Sequence, residues 1–173
     1  MSVTRALIPC GGRGTRMQSL TKGMAKELLE VAGVPVVVRV LEECAESGIE
    51  EVLVVISPEK TEIVERLAPL AGTAGMPTSI SFAVQGEPRG LADAIRLGRG
   101  FSAGLPMAVA LPDNLFAGAE PGLRQVIETH AGTNKNVVAM VEITAQEASR
   151  RGPTSVYPGT LQGDEFVIER IPD

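Results

Sequence analysis

The stretch from Gly11 to Lys26, GGRGTRMQSLTKGMAK, holds residue types at a spacing that could do chemistry. Gly11, Gly12 and Gly14 crowd into four positions, and a backbone without Cβ atoms can approach a ligand closely. Successive N–H groups in such a turn can face inward as an anion-binding nest. Arg13, Arg16, Lys22 and Lys26 add four cations with no acidic residue among them, in a chain whose net charge is −5. That combination suits a polyphosphate. The P-loop pattern is absent, since no glycine precedes a Lys-Ser or Lys-Thr pair at the required spacing. The dinucleotide fingerprint is also absent, because Met17 stands where its third glycine belongs. A flexible surface loop with solvated charges is the competing reading, weakened by the apolar run Ala6-Leu7-Ile8-Pro9 directly before the turn.

Two more positions could act with this turn. Gln85 follows an apolar run, and Gly90-Leu91-Ala92 comes five residues later. A carboxamide donates and accepts together, as pairing with a nucleobase edge requires. Asp113, in Leu111-Pro112-Asp113-Asn114, also follows an apolar run. One carboxylate there suits Mg²⁺, which takes its other ligands from phosphates and water. Judged alone, Gln85 equally fits a solvated loop beside a helix start, and Asp113 fits a turn cap. Their shared position after apolar runs gives the combination its weight. His130 falls on the apolar face of a helix and reads as a packed residue. Cys10 has no neighbouring histidine to activate it as a nucleophile.

The elements that must position these groups follow from hydrophobic patterning. Arg5–Pro9, Glu51–Ser57, Ile80–Val84, Met107–Leu111 and Asn136–Ile143 read as strands. Between them, Val36 to Gly48 repeats at helical spacing, with Val36, Val37, Val40, Leu41, Cys44 and Ala45 on one face. Ser57-Pro58 reads as the cap and first residue of a helix burying Ile63, Val64 and Leu67. Leu91–Arg99 and Pro121–Ala131 read as further helices, the latter with Leu123, Val126 and Ile127 inward. Leu28–Val31 is expected to be a short extended piece closed by a turn at Gly33-Val34-Pro35. This alternation predicts an α/β fold: a three-layer αβα, Rossmann-like arrangement with a mostly parallel sheet. Right-handed crossovers then bring the loops after each strand to one sheet edge, where ligands bind. Past Gly152-Pro153 the rhythm changes, and Val156 to Ile171 reads as a hairpin turning at Gly163-Asp164.

Composition bounds the rest. The 173 residues suffice for one domain with a proper core, packed by aliphatic side chains because only 3% are aromatic. The acidic balance argues against a general nucleic-acid surface. No apolar stretch approaches the roughly 18 residues needed to span a membrane, and no signal-like N-terminal segment is evident. Cys10 and Cys44 lack metal-binding or Cys-x-x-Cys spacing and read as reduced thiols. A cytoplasmic domain is expected.

The early stretch resembles the signature of the sugar-1-phosphate nucleotidyltransferases, Gly-x-Gly-Thr-Arg-Leu/Met followed by Pro, Thr and Pro-Lys. Gly12, Gly14, Thr15, Arg16, Met17, Thr21 and Lys26 fall in its register without a gap. Lys26-Glu27-x-Leu29 is most similar to the UDP-glucose pyrophosphorylase branch, beside which stands glucose-1-phosphate thymidylyltransferase. Ser19 and Ala25 replace the usual prolines, which implies a looser loop. Gln85, Gly90, Leu91 and Ala94 match the family's base-reading pattern Gln-x4-Gly-Leu-x-x-Ala, and Leu111-Pro112-Asp113 resembles its metal-binding segment.

The resemblance implies transfer of a nucleotidyl group from a nucleoside triphosphate, UTP favoured, to a sugar 1-phosphate, glucose 1-phosphate favoured. Products would be the nucleotide sugar and pyrophosphate, and Mg²⁺ the cofactor. Arg16, helped by Arg13, would neutralise the leaving pyrophosphate, and Lys26 would hold the attacking and α-phosphates. Gly11, Gly12, Gly14 and Thr15 would cradle the nucleotide, Gln85 and Gly90 would choose the base, and Asp113 would hold the metal. Residues 1–173 would form a single nucleotidyltransferase domain, 1–150 being the nucleotide-binding core and 151–173 the start of a sugar-binding β region. Tyr157-Pro158-Gly159 resembles the family's Tyr-Gly sugar contact with a proline inserted, and the closing Ile168–Asp173 resembles the approach to its Glu-Lys-Pro sugar-site motif, whose lysine would lie beyond residue 173. Hence an incomplete sugar site is expected, and a truncated or non-catalytic nucleotide-binding regulatory or assembly module is the alternative. Expected partners are the triphosphate and the sugar phosphate, with neither nucleic acid nor membrane and with a homo-oligomer left open.

Overall fold

Apolar runs that do not alternate need cover on both sheet faces, and Arg5–Pro9 (β1) and Glu51–Ile56 (β4) take the two central places of one sheet. The computed structural model describes residues 2–12, 23–141, 143–151, 159–162 and 165–168. The chain divides into two compact units, Met1–Ala139 and Met140–Asp173.

In the first unit four strands run parallel in the order β5-β4-β1-β6, with Ser79–Val84 as β5 and Ala108–Val109 as β6. Leu7 pairs with Leu53 on one side and with Val109 on the other. The pleat sends alternate residues to opposite faces. Ala6, Ile8, Val52, Val54 and Ile56 pack with Val36–Glu46 (α1), Thr61–Leu67 (α2) and Leu123 of Gly122–Thr133 (α5). Leu7, Leu53 and Val55 pack on the other face with Ala94 and Ile95 of Leu91–Leu97 (α3) and Phe101 of Arg99–Ser102 (α4). The layers are therefore helix, sheet, helix, as the alternation predicts. Within the first of these helical layers, α1 and α5 are tied across chain distance: Glu43 of α1 accepts a hydrogen bond from the Leu123 N–H at 2.9 Å, satisfying one of the free donors at the start of α5.

Local departures from the predicted elements have identifiable causes. Glu30–Val31 (β2) and Val34–Pro35 (β3) form a small antiparallel hairpin. Its turn is Ala32-Gly33, both at positive φ, one residue earlier than expected, so Val34 and Pro35 become the return strand. Ser57 does not cap α2; its hydroxyl donates to Glu59, and the helix begins at Thr61 after a turn closed by Lys60 N–H to Ser57 C=O at 3.0 Å. The expected strand over Asn136–Ile143 is absent: residues 136–141 have no regular secondary structure and leave Val138, Met140 and Val141 exposed. None of the described strands pairs with this apolar run, so it has no ladder to join.

In the second unit Ala145–Arg151 forms α6, which the hydrophobic pattern did not reveal. Thr144 and Glu147 make a capping box, with Glu147 N–H donating to Thr144 Oγ1 and Thr144 N–H to Glu147 Oε2. Gly159–Gln162 (β7) and Glu165–Ile168 (β8) pair antiparallel. This is the expected hairpin, although its turn at Gly163-Asp164 lies outside the described residues, as do Tyr157 and Pro158.

Candidate active site

In the sheet order, the chain leaves β1 for β4 and β5 on one side and returns to β6 on the other. Such a reversal opens a crevice at the strands' carboxyl ends. A cleft of about 560 Å³ lies there, and Gly11, Gly12, Lys26, Gly90 and Asp113 line it together. The first two follow β1, Gly90 opens α3 after β5, and Asp113 follows β6. Three distant stretches of sequence thus share one cavity. Arg13, Gly14, Thr15 and Arg16 lie outside the described residues.

Lys26 and Asp113 meet across the mouth of the cleft, with Nζ donating to Oδ2 at 2.8 Å. Their side chains are 22% and 58% exposed, so water and ligand can reach the pair. Asp113 is a single carboxylate, and no cluster of three potential metal ligands occurs among the described residues. A fully protein-built cage is thereby unsupported, whereas Mg²⁺ that keeps its waters and phosphate oxygens needs no more than one or two carboxylates.

Gln85 stands one step behind the lining. It is 5% exposed, and its Nε2 donates to the Gly90 carbonyl at 3.2 Å and to Asp93 Oδ2 at 2.9 Å. The Gln85 hydrogen bond to Asp93, then the nearby Arg96, hold the Asp93 carboxyl below its ordinary range. On its other side, Gln85 Oε1 lies against Gly11, where any Cβ would come within 2.7 Å of it. This explains glycine at position 11 in steric terms. Gly90 has φ of +100°, a conformation that side-chain-bearing residues rarely adopt. Gln85 therefore joins the glycine turn to the start of α3.

Sequence reasoning missed Lys60, and it noted Glu27 only as part of Lys26-Glu27-x-Leu29, without a role. Lys60 is 7% exposed and donates to the carbonyls of Cys10 and Gly12, both at 2.7 Å, and to both oxygens of Glu27 at 3.1 and 2.9 Å. The available signal was weak: a lysine shortly after a strand, within the first turn of the helix that Ser57-Pro58 was expected to begin. Cys10 is fully buried beside this group, and burial, then the Glu27 charge, push its thiol well above the ordinary range. Cys44 is likewise buried and pushed up to about 12. Neither forms a disulfide.

An open parallel α/β sheet with a glycine-lined cleft at its switch point defines the class of doubly wound α/β folds, in which ligands bind at that crevice. The sequence profile of the nucleotidyl transferase family matches residues 5–153, and the chain belongs to that family. It is 30% identical to the UTP--glucose-1-phosphate uridylyltransferase of Bacillus subtilis (strain 168), covering 98% of this chain and 63% of that protein. It is also 30% identical to the Streptococcus pyogenes protein of the same name, covering 99% of this chain and 64% of the relative. The chain thus spans less than two thirds of the length of these curated relatives. A crystal structure of UDP-glucose pyrophosphorylase complexed with UDP-glucose superposes with a TM-score of 0.66 at 25% identity, covering 76% of this chain and 54% of that one. UTP-bound UGPase from Acinetobacter baumannii, at 24% identity and a TM-score of 0.65, covers 76% and 54% and shares the fold.

Proposed function

We propose that this chain carries the nucleotide-binding and catalytic core for transfer of a nucleotidyl group to a sugar 1-phosphate, with UTP and glucose 1-phosphate as substrates. The observation that carries the reading is the single cleft lined by Gly11, Gly12, Lys26, Gly90 and Asp113. The names and bound ligands of the relatives support the choice of UTP and glucose 1-phosphate.

A phosphate oxygen of the sugar 1-phosphate forms a bond to the α-phosphorus of the triphosphate. The bond from that phosphorus to the α,β-bridging oxygen breaks, and pyrophosphate leaves with the electron pair. Such a step asks for positioning and charge neutralisation rather than covalent work by the protein. The Gly11-Gly12 backbone receives the phosphates without side-chain obstruction. Lys26, released from Asp113 as substrate enters, bridges the attacking phosphate and the α-phosphate. Arg16 and Arg13 neutralise the departing pyrophosphate. Gly90 meets the base, and Gln85, already committed through Nε2, selects it by fixing the Gly90 carbonyl. Asp113 would hold Mg²⁺, which would supply screening of the phosphate charges.

Pyrophosphate release on mixing the protein with Mg²⁺, UTP and glucose 1-phosphate tests the reading. Release that depends on all three additions is the expected outcome. Tight UTP binding without release would leave a nucleotide-binding module and overturn the catalytic part.

A further inference from the structure

Lys60 contributes nothing to the cleft's lining, yet its ammonium is the meeting point of three loops at the sheet's carboxyl edge. It comes from the turn between β4 and α2, its carbonyl partners from the glycine turn after β1, and Glu27 from the 3₁₀ turn Lys26–Leu28 that carries Lys26. An ammonium has three hydrogens, and here Cys10 C=O, Gly12 C=O and the Glu27 carboxylate supply an acceptor for each.

Two physical points make this more than a packing contact. A trans peptide sets its N–H opposite its C=O, so a carbonyl turned toward Lys60 turns the amide of the same unit away from it. The clamp thereby decides which way the Cys10–Gly11 amide faces in a turn that lines the cleft on its other side. Moreover, a buried ion pair is a poor device for stability alone, since apolar residues of similar volume often do as well. Such a replacement here would leave the Cys10 and Gly12 carbonyls without their charged donor.

We propose that Lys60, with Glu27, is a positioning residue that sets the glycine turn and Lys26 in the arrangement that receives a triphosphate. This rests on the nucleotidyl-transfer reading. The test uses the full chain and three variants: Lys60→Met, Lys60→Met/Glu27→Leu, and Lys60→Arg. Lys60→Met strands a buried carboxylate and is expected to lower the melting temperature; the double variant removes that charge and restores it. Affinity for Mg²⁺-UTP is expected to stay down by about tenfold or more in the double variant, while UMP, with one phosphate, binds within about threefold of wild type. Recovery of UTP affinity together with the melting temperature would show the pair to be structural only and overturn the proposal. Lys60→Arg keeps the charge but not the tetrahedral spread of donors. It serves if the others fail to fold: weakened UTP binding at an unchanged melting temperature supports the proposal, and wild-type binding overturns it. Hydrogen exchange without nucleotide, in peptides covering Cys10–Gly12, separates the two readings. If wild type binds no triphosphate, the functional reading fails. Faster exchange in the variants would still support the clamp, and unchanged exchange would overturn it.

Discussion

At the scale of single residues, the cleft depends on close approach as much as on charge. Lys26→Ala removes the one described cation that lines the cleft. Turnover is expected to fall by about 10²–10³-fold, as for loss of an electrostatic transition-state contact, with little change in melting temperature because the side chain is part-exposed and its partner remains solvated. Pyrophosphate-release kinetics beside thermal unfolding would check this, and near-normal turnover would remove Lys26 from the mechanism. Gly11→Ala makes a different demand. Its new Cβ would sit 2.7 Å from Gln85 Oε1, and overpacking of this kind costs about 1–3 kcal/mol. Gln85 would be pushed off Gly90, so weaker nucleotide binding should accompany the lost stability. Adding Gln85→Ala should restore stability without restoring binding; denaturant midpoints and nucleotide titrations of the two single and the double variants would show this.

Elements are held by contacts that the chain makes far from the site. Gly98 joins α3 to α4, and a Cβ there would meet Leu7 Cδ1 of β1 at 2.6 Å and the Met107 methyl at 3.0 Å. Gly98→Ala should therefore separate this helical layer from the central strand, with a loss of about 1–3 kcal/mol measured by urea unfolding. Since α3 begins at Gly90, nucleotide affinity should fall as well. In the second unit, Thr144→Ala should fray α6 and cost that helix about 1 kcal/mol, read as a loss of helical signal. The capping box was legible as Thr-x-x-Glu. The hydrophobic pattern hid it, because Ala145–Arg151 carries no apolar stripe.

The whole molecule should register the two buried thiols through its stability at high pH. Cys44 titrates at about 12 when folded against 9.0 for an unburied thiol, and Cys10 is raised by the same burial. Above pH 9 the unfolded chain loses these protons while the folded chain keeps them. The unfolded state is then favoured, and stability falls as pH rises toward 12 by about 1.4 kcal/mol per pH unit for each thiol. Urea midpoints between pH 8 and 10.5 should decline more steeply for the natural chain than for Cys10→Ala/Cys44→Ala. Equal slopes would show that the thiols are already free to ionise in the folded state.

The strands β1, β4 and β5 and the buried face of α1 were legible because their neighbours in sequence are also their neighbours in pattern. Continuous apolar runs and a 3.6-residue repeat need no knowledge of distant partners. The glycines and cations of Gly11–Lys26, the amide at Gln85 and the acid at Asp113 were likewise visible as residue types after predicted strands. Only the tertiary structure decided what those groups touch. It set Gln85 behind Gly90 instead of open to the cleft, paired Lys26 with Asp113, and drew Lys60 inward from a stretch read as the first turn of a helix. It also left residues 136–141 without the ladder that their apolar run invites. The physical reason is common to all four. A side chain's type is fixed by the sequence, but its hydrogen-bond partner is whatever the crossovers bring within about 3 Å, and the partners here lie up to 87 positions away.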